Sequence, residues 1–409
     1  MGILESLVDL VSSEREHVNL TLAAVIAVVA LALVFDFTNG FHDAANSVST
    51  VVATRVLPAK WAVWFSAFFN FAALFVVGTA VANTVAKTVK PGNEGIAVVF
   101  AALFAAIIWN YTTWWLGMPS SSSHALIGGL VGAGLAAGGS HAINWASVKK
   151  TGYAIVISPL VAFAIALLAM FLIAGLRKLF HLADNAKTFK GLQLVSAGAV
   201  SFGHGANDAQ KTIGVIAALL ASTGHLSVAA GSSLVVPLWV KICAYGAIAL
   251  GTVWGGWKII ETMGLKITTL HPASGVAANI GAVSAIFGAT GLGIPISTTH
   301  AAASSVAGAG VGSGVGINLR VVGEMVLSWI VTLPTTIALA FITFKVTRLP
   351  GAFAWVGIGA LVLVVGVAII WAMRHAITAE DVIAEIPPEE ELAKTLPAHI
   401  HLEGHGPAA

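Results

Sequence analysis

The sequence predicts an all-α polytopic membrane protein made of two repeats with broken or re-entrant helices. Three observations carry that prediction. Only 9% of the residues are charged and 57% are hydrophobic, with a mean hydropathy of +0.92; a soluble protein carries roughly 25% charged residues. Several apolar runs are long enough to cross a bilayer, at about 20 residues per helix, and about 10–12 membrane segments are expected. The short alternating segments of a transmembrane barrel are absent. Finally, the chain repeats itself. Asp208 follows Asp43 by 165 residues, the octet ending at His300 follows the octet ending at His124 by 176, and Pro334 follows Pro159 by 175. Three anchors at nearly one offset mark an internal duplication.

Taken in order, residues 1–17 carry Glu5, Asp9, Glu14 and Glu16 and read as an amphipathic surface helix rather than a cleavable signal. Repeat 1 spans residues 18–176. Its first span starts near Val18 and is expected to break at Asn39-Gly40, because glycine weakens a helix. Residues 61–84 form a second span and 95–116 a third. The third ends in Trp109, Tyr111, Trp114 and Trp115, which suit a headgroup-level belt. Next come Gly-Met-Pro-Ser-Ser-Ser-Ser-His (117–124) and a glycine-rich run. Proline and serial hydroxyls at membrane depth are tolerated only where they are buried or line a cavity. Residues 151–176 form another span. Residues 177–190 hold Arg177, Lys178, Lys187 and Lys190 against Asp184 and read as a basic cytoplasmic linker.

Repeat 2, residues 191–373, replays the first: the Asp208 motif, spans at 237–254 and 273–292, the octet 293–300, and spans at 321–344 and 352–371. Residues 374–409 read as an acidic, His-containing disordered tail. Whether the copies are inverted depends on whether residues 125–141 count as a full crossing. The lone Cys243 excludes an internal disulfide framework.

The acids point to the chemistry. Of 18, only Asp36, Asp43, Asp208 and Glu324 lie inside or at the edge of apolar runs. Ionisable groups at that depth mark a site by default, and interrupted segments at matching positions of two halves point to a midplane site. Around Asp43 and Asp208 stand Asn46, Asn207, Gln210, Lys211, Ser47 and Thr212, with Ser120, Ser121, Ser122, Ser123, Ser297, Thr298 and Thr299. Hydroxyls, amides and helix N-termini suit a tetrahedral oxyanion. Two carboxylates repel one unless a proton or cation neutralises them, so coupled transport is expected.

For a single hydroxyl, helix gluing competes evenly with a site role; four serines after a proline, duplicated, favour a site. His124 and His300 are expected to orient those loops by hydrogen bonds rather than act as ligands. Asp36 has no acidic counterpart, since Ser201 stands at its offset, and a supporting role suits it as well as a ligand role. Glu324 follows Arg320 by one helical turn and should pair with it. His399, His401 and His405 are expected to be solvated.

The segments NGFHDAANSVSTVVATR, WNYTTWWLGMPSSSSHALIGGLVGAG, SFGHGANDAQKTIG, GTVWGGWKIIETMG and LGIPISTTHAAASSVAGAG resemble the inorganic phosphate transporter family across residues 20 to 373. The resemblance implies two inverted repeats and symport of phosphate with sodium or protons through the cell membrane. It implies cation coupling at Asp43, Asn46, Asn207 and Asp208, and phosphate contacts from Asn46, Asn207, Lys211, Thr212, Ser120 to Ser123 and Ser297 to Thr299. His42 before Asp43 and Lys211 at the place of Asn46 resemble the bacterial low-affinity branch, similar to proton-coupled carriers of metal–phosphate complexes. The partners implied are phosphate and the bilayer, with magnesium as a companion of phosphate. A homodimer is compatible, and no nucleic-acid partner or covalent cofactor is expected. No resident metal site is assigned.

Two rival readings fit the residues less well. A divalent-metal carrier or channel would use Asp43, Asp208, His42 and His204, but leaves the hydroxyl runs without purpose. An intramembrane hydrolase would use Ser123 and His124, yet neighbours on a helix do not face each other.

Overall fold

A computed structural model describes residues 2–93, 95–181, 183–184, 186–226, 235–388, 396–397 and 400, with side chains from residue 21 onward. Among the described residues there are fifteen α-helices, and the only extended pairing is one bridge, Val89 to Ile143. The first half holds α1 (Gly2–Asp43), α2 (Ala45–Ala53), α3 (Ala59–Ala72), α4 (Ala80–Ala86), α5 (Ile96–Leu116), α6 (Ser122–Gly138) and α7 (Trp145–Phe180). The second holds α8 (Lys187–Ser222), α9 (Leu238–Trp254), α10 (Trp257–Glu261), α11 (Pro272–Gly291), α12 (Thr298–Gly312) and α13 (Leu319–Thr347). Then follow α14 (Ala352–Arg374) and α15 (Ala379–Glu385). Among the described residues seven helices are long and apolar enough to cross a membrane, or up to nine if each of two bent pairs makes one span. The 36-residue α8 is as long, but its buried Asp208 and Lys211 make it too polar to qualify.

The two halves exchange helices. α6 packs on α13 and α12 on α7. Small residues allow this, as backbones must nearly touch where no hydrophobic force drives helices together. A Cβ on Gly132 would meet Ile337 O at 2.1 Å, and one on Gly308 would meet Phe163 O at 2.4 Å. The same device recurs around the Asp motifs: a Cβ on Gly40 would lie 2.2 Å from Ile248 O, and one on Gly205 2.3 Å from Asn70 O.

Several local expectations are corrected. Gly40 does not break the first span: α1 continues to Asp43 and the turn falls at Ala44. The glycine serves close approach to α9. Residues 1–17 are not a separate helix, because α1 begins at Gly2; their side chains lie outside the described residues. Residues 61–84 are two pieces bent by 86°, and the Gly255-Gly256 break bends α9 from α10 by 69°. The aromatic belt is only partly interfacial. Trp114 is buried and Trp109 donates to Thr332 Oγ1 at 2.9 Å, whereas Trp115 remains exposed. Arg177 is not a free linker charge: α7 carries it to a buried pair with Asp184.

The tail is ordered through Pro388. Thr378 and Asp381 form a capping box for α15, and Val382 and Ile386 are buried. Residues 389–395, 398–399 and 401–409, with His399, His401 and His405, lie outside the description. Arg320 and Glu324 make the expected exposed pair at 3.0 Å.

Candidate functional site

Both octets turn into helix N-termini in the same way. Ser121 accepts from His124 N at 3.2 Å to cap α6, and Ser297 accepts from His300 N at 3.1 Å to cap α12. The next hydroxyl in each helix reaches the carboxylate of its own half. Ser122 donates to Asp43 Oδ2 at 2.9 Å, and Thr298 donates to Asp208 Oδ2 at 3.3 Å. The hydroxyl after that crosses between halves: Thr299 donates to Asp43 Oδ1 at 2.8 Å, and Ser123 receives a hydrogen bond from Lys211 Nζ while donating to Ile296 O at 2.7 Å. Asn46 Nδ2 lies 3.2 Å from Thr298 Oγ1 and 3.4 Å from Thr299 Oγ1. All of these side chains are buried.

The carboxylates are not equivalent. Lys211 Nζ sits 2.7 Å from Asp208 Oδ1, and Asn39 donates to Oδ2 at 3.3 Å. Among the described residues no lysine or arginine pairs with Asp43, which has His42 Nδ1 at 2.8 Å. His204 Nε2 lies between the two acids, 3.6 Å from Asp208 and 4.0 Å from Asp43. One ligand atom each from Asp43, His204 and Asp208 all fall within 4.8 Å of one another. A buried cluster of this kind can hold a cation or a proton.

Other expected site residues are engaged in the frame. His42 Nε2 meets Thr113 Oγ1 at 3.0 Å and Ser120 Oγ at 3.2 Å, and Ser120 also bonds Thr113. At the matching position, Asn207 donates to Thr290 Oγ1 at 2.9 Å and to Ile294 O at 3.2 Å. It accepts from Ile296 N at 3.3 Å. His42 and Asn207 thus brace the segments that present the two octets. Gln210 accepts from Val81 N at 2.9 Å, tying down α4. Thr212 and Asp36 are both buried.

The histidine expectation is corrected in its means. His124 and His300 hold the octets by ring packing rather than by side-chain hydrogen bonds. Their centroids are 4.5 Å apart, and His300 stacks on Trp329 at 4.0 Å. Neither His124 nitrogen has a partner. Sequence reasoning also missed Asn70, which bonds His204 Nδ1 at 3.1 Å, and Thr113, Thr252 and Asn279. Buried amides inside apolar runs were the available signal.

The fold and site define a multi-pass membrane protein with a sealed polar centre shared by two half-motifs. A profile of the phosphate transporter family matches residues 39–183 and 177–340, and the chain belongs to that family. It is 49% identical over 313 residues to the "Probable low-affinity inorganic phosphate transporter" of Rhizobium meliloti, covering 76% of this chain and 92% of the relative. With the Bacillus subtilis protein of the same description the figures are 39% over 335 residues, 81% and 99%. Among solved structures it is similar to "The sodium-dependent phosphate transporter". There the TM-score is 0.70 at 26% identity, over 80% of this chain and 100% of that one. These relatives are transporters, and the chain is not an enzyme.

Proposed function

We propose that the protein carries inorganic phosphate across the cell membrane in symport with protons, by alternating access around the Asp43–Asp208 centre. One observation carries the choice of ion: Lys211 places an ammonium against Asp208, where a sodium ion would otherwise be needed. Phosphate is held at the N-termini of α6 and α12 by Ser122, Ser123, Thr298, Thr299, Asn46 and Lys211, with each helix end presenting backbone N–H groups. Ser120, Ser121, Ser297 and Asn207 position that set, and Thr212 stands behind it. Asp43, which no fixed cation pairs, takes the coupling proton, with His204 beside it. Neutralising Asp43 removes the charge that would repel the anion.

The repeats, residues 18–176 and 191–373 around the 177–190 linker, are read as inverted. Arg55, just beyond the end of α2, and Lys190, at the start of α8, line one cavity, which supports that reading. Rocking one half against the other then exposes the centre to each side in turn. A second reading has its own observation: the Asp43–His204–Asp208 cluster suits a divalent cation, so phosphate would travel as a magnesium complex.

The test is radiolabelled phosphate uptake into proteoliposomes under imposed proton or sodium gradients, with and without magnesium. Proton-driven uptake supports the proposal, and stimulation by magnesium adds the complex. Sodium-driven uptake would transfer the coupling role to a sodium ion at Asp43. No uptake under any gradient would remove the reading.

A further inference from the structure

A second polar feature leads away from the centre. On α2, Asn46, Thr50 and Thr54 stand one turn apart on one face. Thr50 donates to Asn279 Oδ1 at 3.1 Å, Thr54 donates to Gln193 Oε1 at 3.0 Å, and Gln193 Nε2 donates to Thr50 O at 3.0 Å. This buried ladder ends at a cavity of about 260 Å³ with Thr54, Arg55 and Lys190 on one side and Glu385, Ile386 and Pro387 on the other. By charge this is the cytoplasmic side, with the basic linker beside it.

The C-terminal segment is tied across that cavity. Val382 and Ile386 are 1% and 8% exposed, and Arg55 Nη2 donates to Ile386 O at 2.9 Å and Pro387 O at 3.0 Å. Further on, Leu396 and Ile400 are buried against Val315, and the neighbouring Gly316 O accepts from Thr268, another residue of the cavity wall. Resting on the transport reading above, we propose that residues 379–387 are an autoinhibitory strap. It closes the cytoplasmic mouth of the route, and the Asn46–Thr50–Thr54 ladder is the route's inner arm. Two things favour a cover over a mere surface helix. The strap forms one wall of a cavity that also holds Thr54, Arg55 and Lys190, where the polar ladder ends. It also occupies Arg55, the cation best placed to receive an emerging oxyanion. A charge-assisted pair with that anion is stronger than bonds to neutral carbonyls, so cargo arriving from inside competes the strap away.

The test uses the full chain with Cys243→Ser and Thr54→Cys in inside-out vesicles, following modification by a charged maleimide. Slow labelling is expected with the strap intact. Labelling should be about tenfold faster with Ile386→Glu, the factor expected from losing one buried apolar side chain. Arg55→Gln, which removes only the tie, should also speed it. Equal rates in the parent, Ile386→Glu and Arg55→Gln would overturn the proposal. Vesicles that label as expected but move no phosphate would overturn the transport reading and leave the strap standing.

Discussion

Replacing Lys211 by Asn gives the second half-site the residue of the first, since Asn46 occupies the equivalent position, and it tests the coupling argument directly. Lys211 Nζ lies 2.7 Å from Asp208 Oδ1 and also bonds Ser123, with both charged side chains buried. At that separation the Coulomb attraction is about 6 kcal/mol for an effective dielectric near 20. Breaking a buried pair by deleting one partner costs about 3–5 kcal/mol, because the remaining charge is left uncompensated. That is roughly two to four orders of magnitude in a binding equilibrium. Asn39 and Thr298 still donate to Asp208, but neither carries charge. The variant should therefore lose phosphate uptake in sodium-free medium and regain part of it as sodium is added, with an apparent sodium affinity that the parent lacks. Uptake kinetics in proteoliposomes at fixed pH, with sodium exchanged for choline, would show this. Sodium-independent uptake with an unchanged KM would refute the reasoning, since Lys211 would then not occupy a cation's place.

Three further outcomes are expected. Asp43→Asn and Asp208→Asn should each abolish gradient-driven uptake while inserting normally, as judged by membrane fractionation; near-normal uptake in either would remove the coupling role. Asn207→Ala strands the Ile296 N–H and removes the amide donor from Ile294 O, a cost of about 1–3 kcal/mol. It should lower the melting temperature in detergent and slow transport, and an unchanged melting temperature would contradict the bracing role. Gly205→Ala sets a methyl 2.3 Å from Asn70 O; forcing the helices apart costs typically about 1–3 kcal/mol. The yield of monodisperse protein should fall, in contrast to a substitution at Gly246, where a Cβ meets nothing within 4 Å.

Much of this was legible in the residues. Apolar runs located α5, α9, α11, α13 and α14 to within a few positions, and the duplicated motifs located the carboxylates and hydroxyls that converge. What the sequence hid was direction. The Asn207 amide and the Ser120 hydroxyl belong to the right motifs, yet face the segments that support the site, and no linear pattern distinguishes an inward hydroxyl from a bracing one. Glycine misled for a related reason. Gly40 reads locally as a helix breaker, but its contact is Ile248 on a helix some two hundred residues away. The tail misled because composition cannot see a docking surface. Glu, Pro and His suggest disorder, whereas two apolar side chains and one arginine suffice to hold Ala379–Glu385 in place.

The repeat supplies a symmetric frame that carries asymmetric chemistry. Equivalent positions do equivalent mechanical work: Ser121 and Ser297 cap, His42 and Asn207 brace, and Gly40 and Gly205 admit a crossing backbone. The ionisable substitutions break the symmetry. Asn39 in the first half faces His204 in the second, and Asn46 faces Lys211. A fully symmetric pair of aspartates would place two like charges around one anion and need two mobile cations. Here one acid has a built-in ammonium as partner, and the other has only histidines and hydroxyls. On the proposed symport, one mobile positive charge at Asp43 would then complete the site. This is why the ion requirement in a Lys211 variant, rather than the affinity for phosphate alone, is the informative quantity.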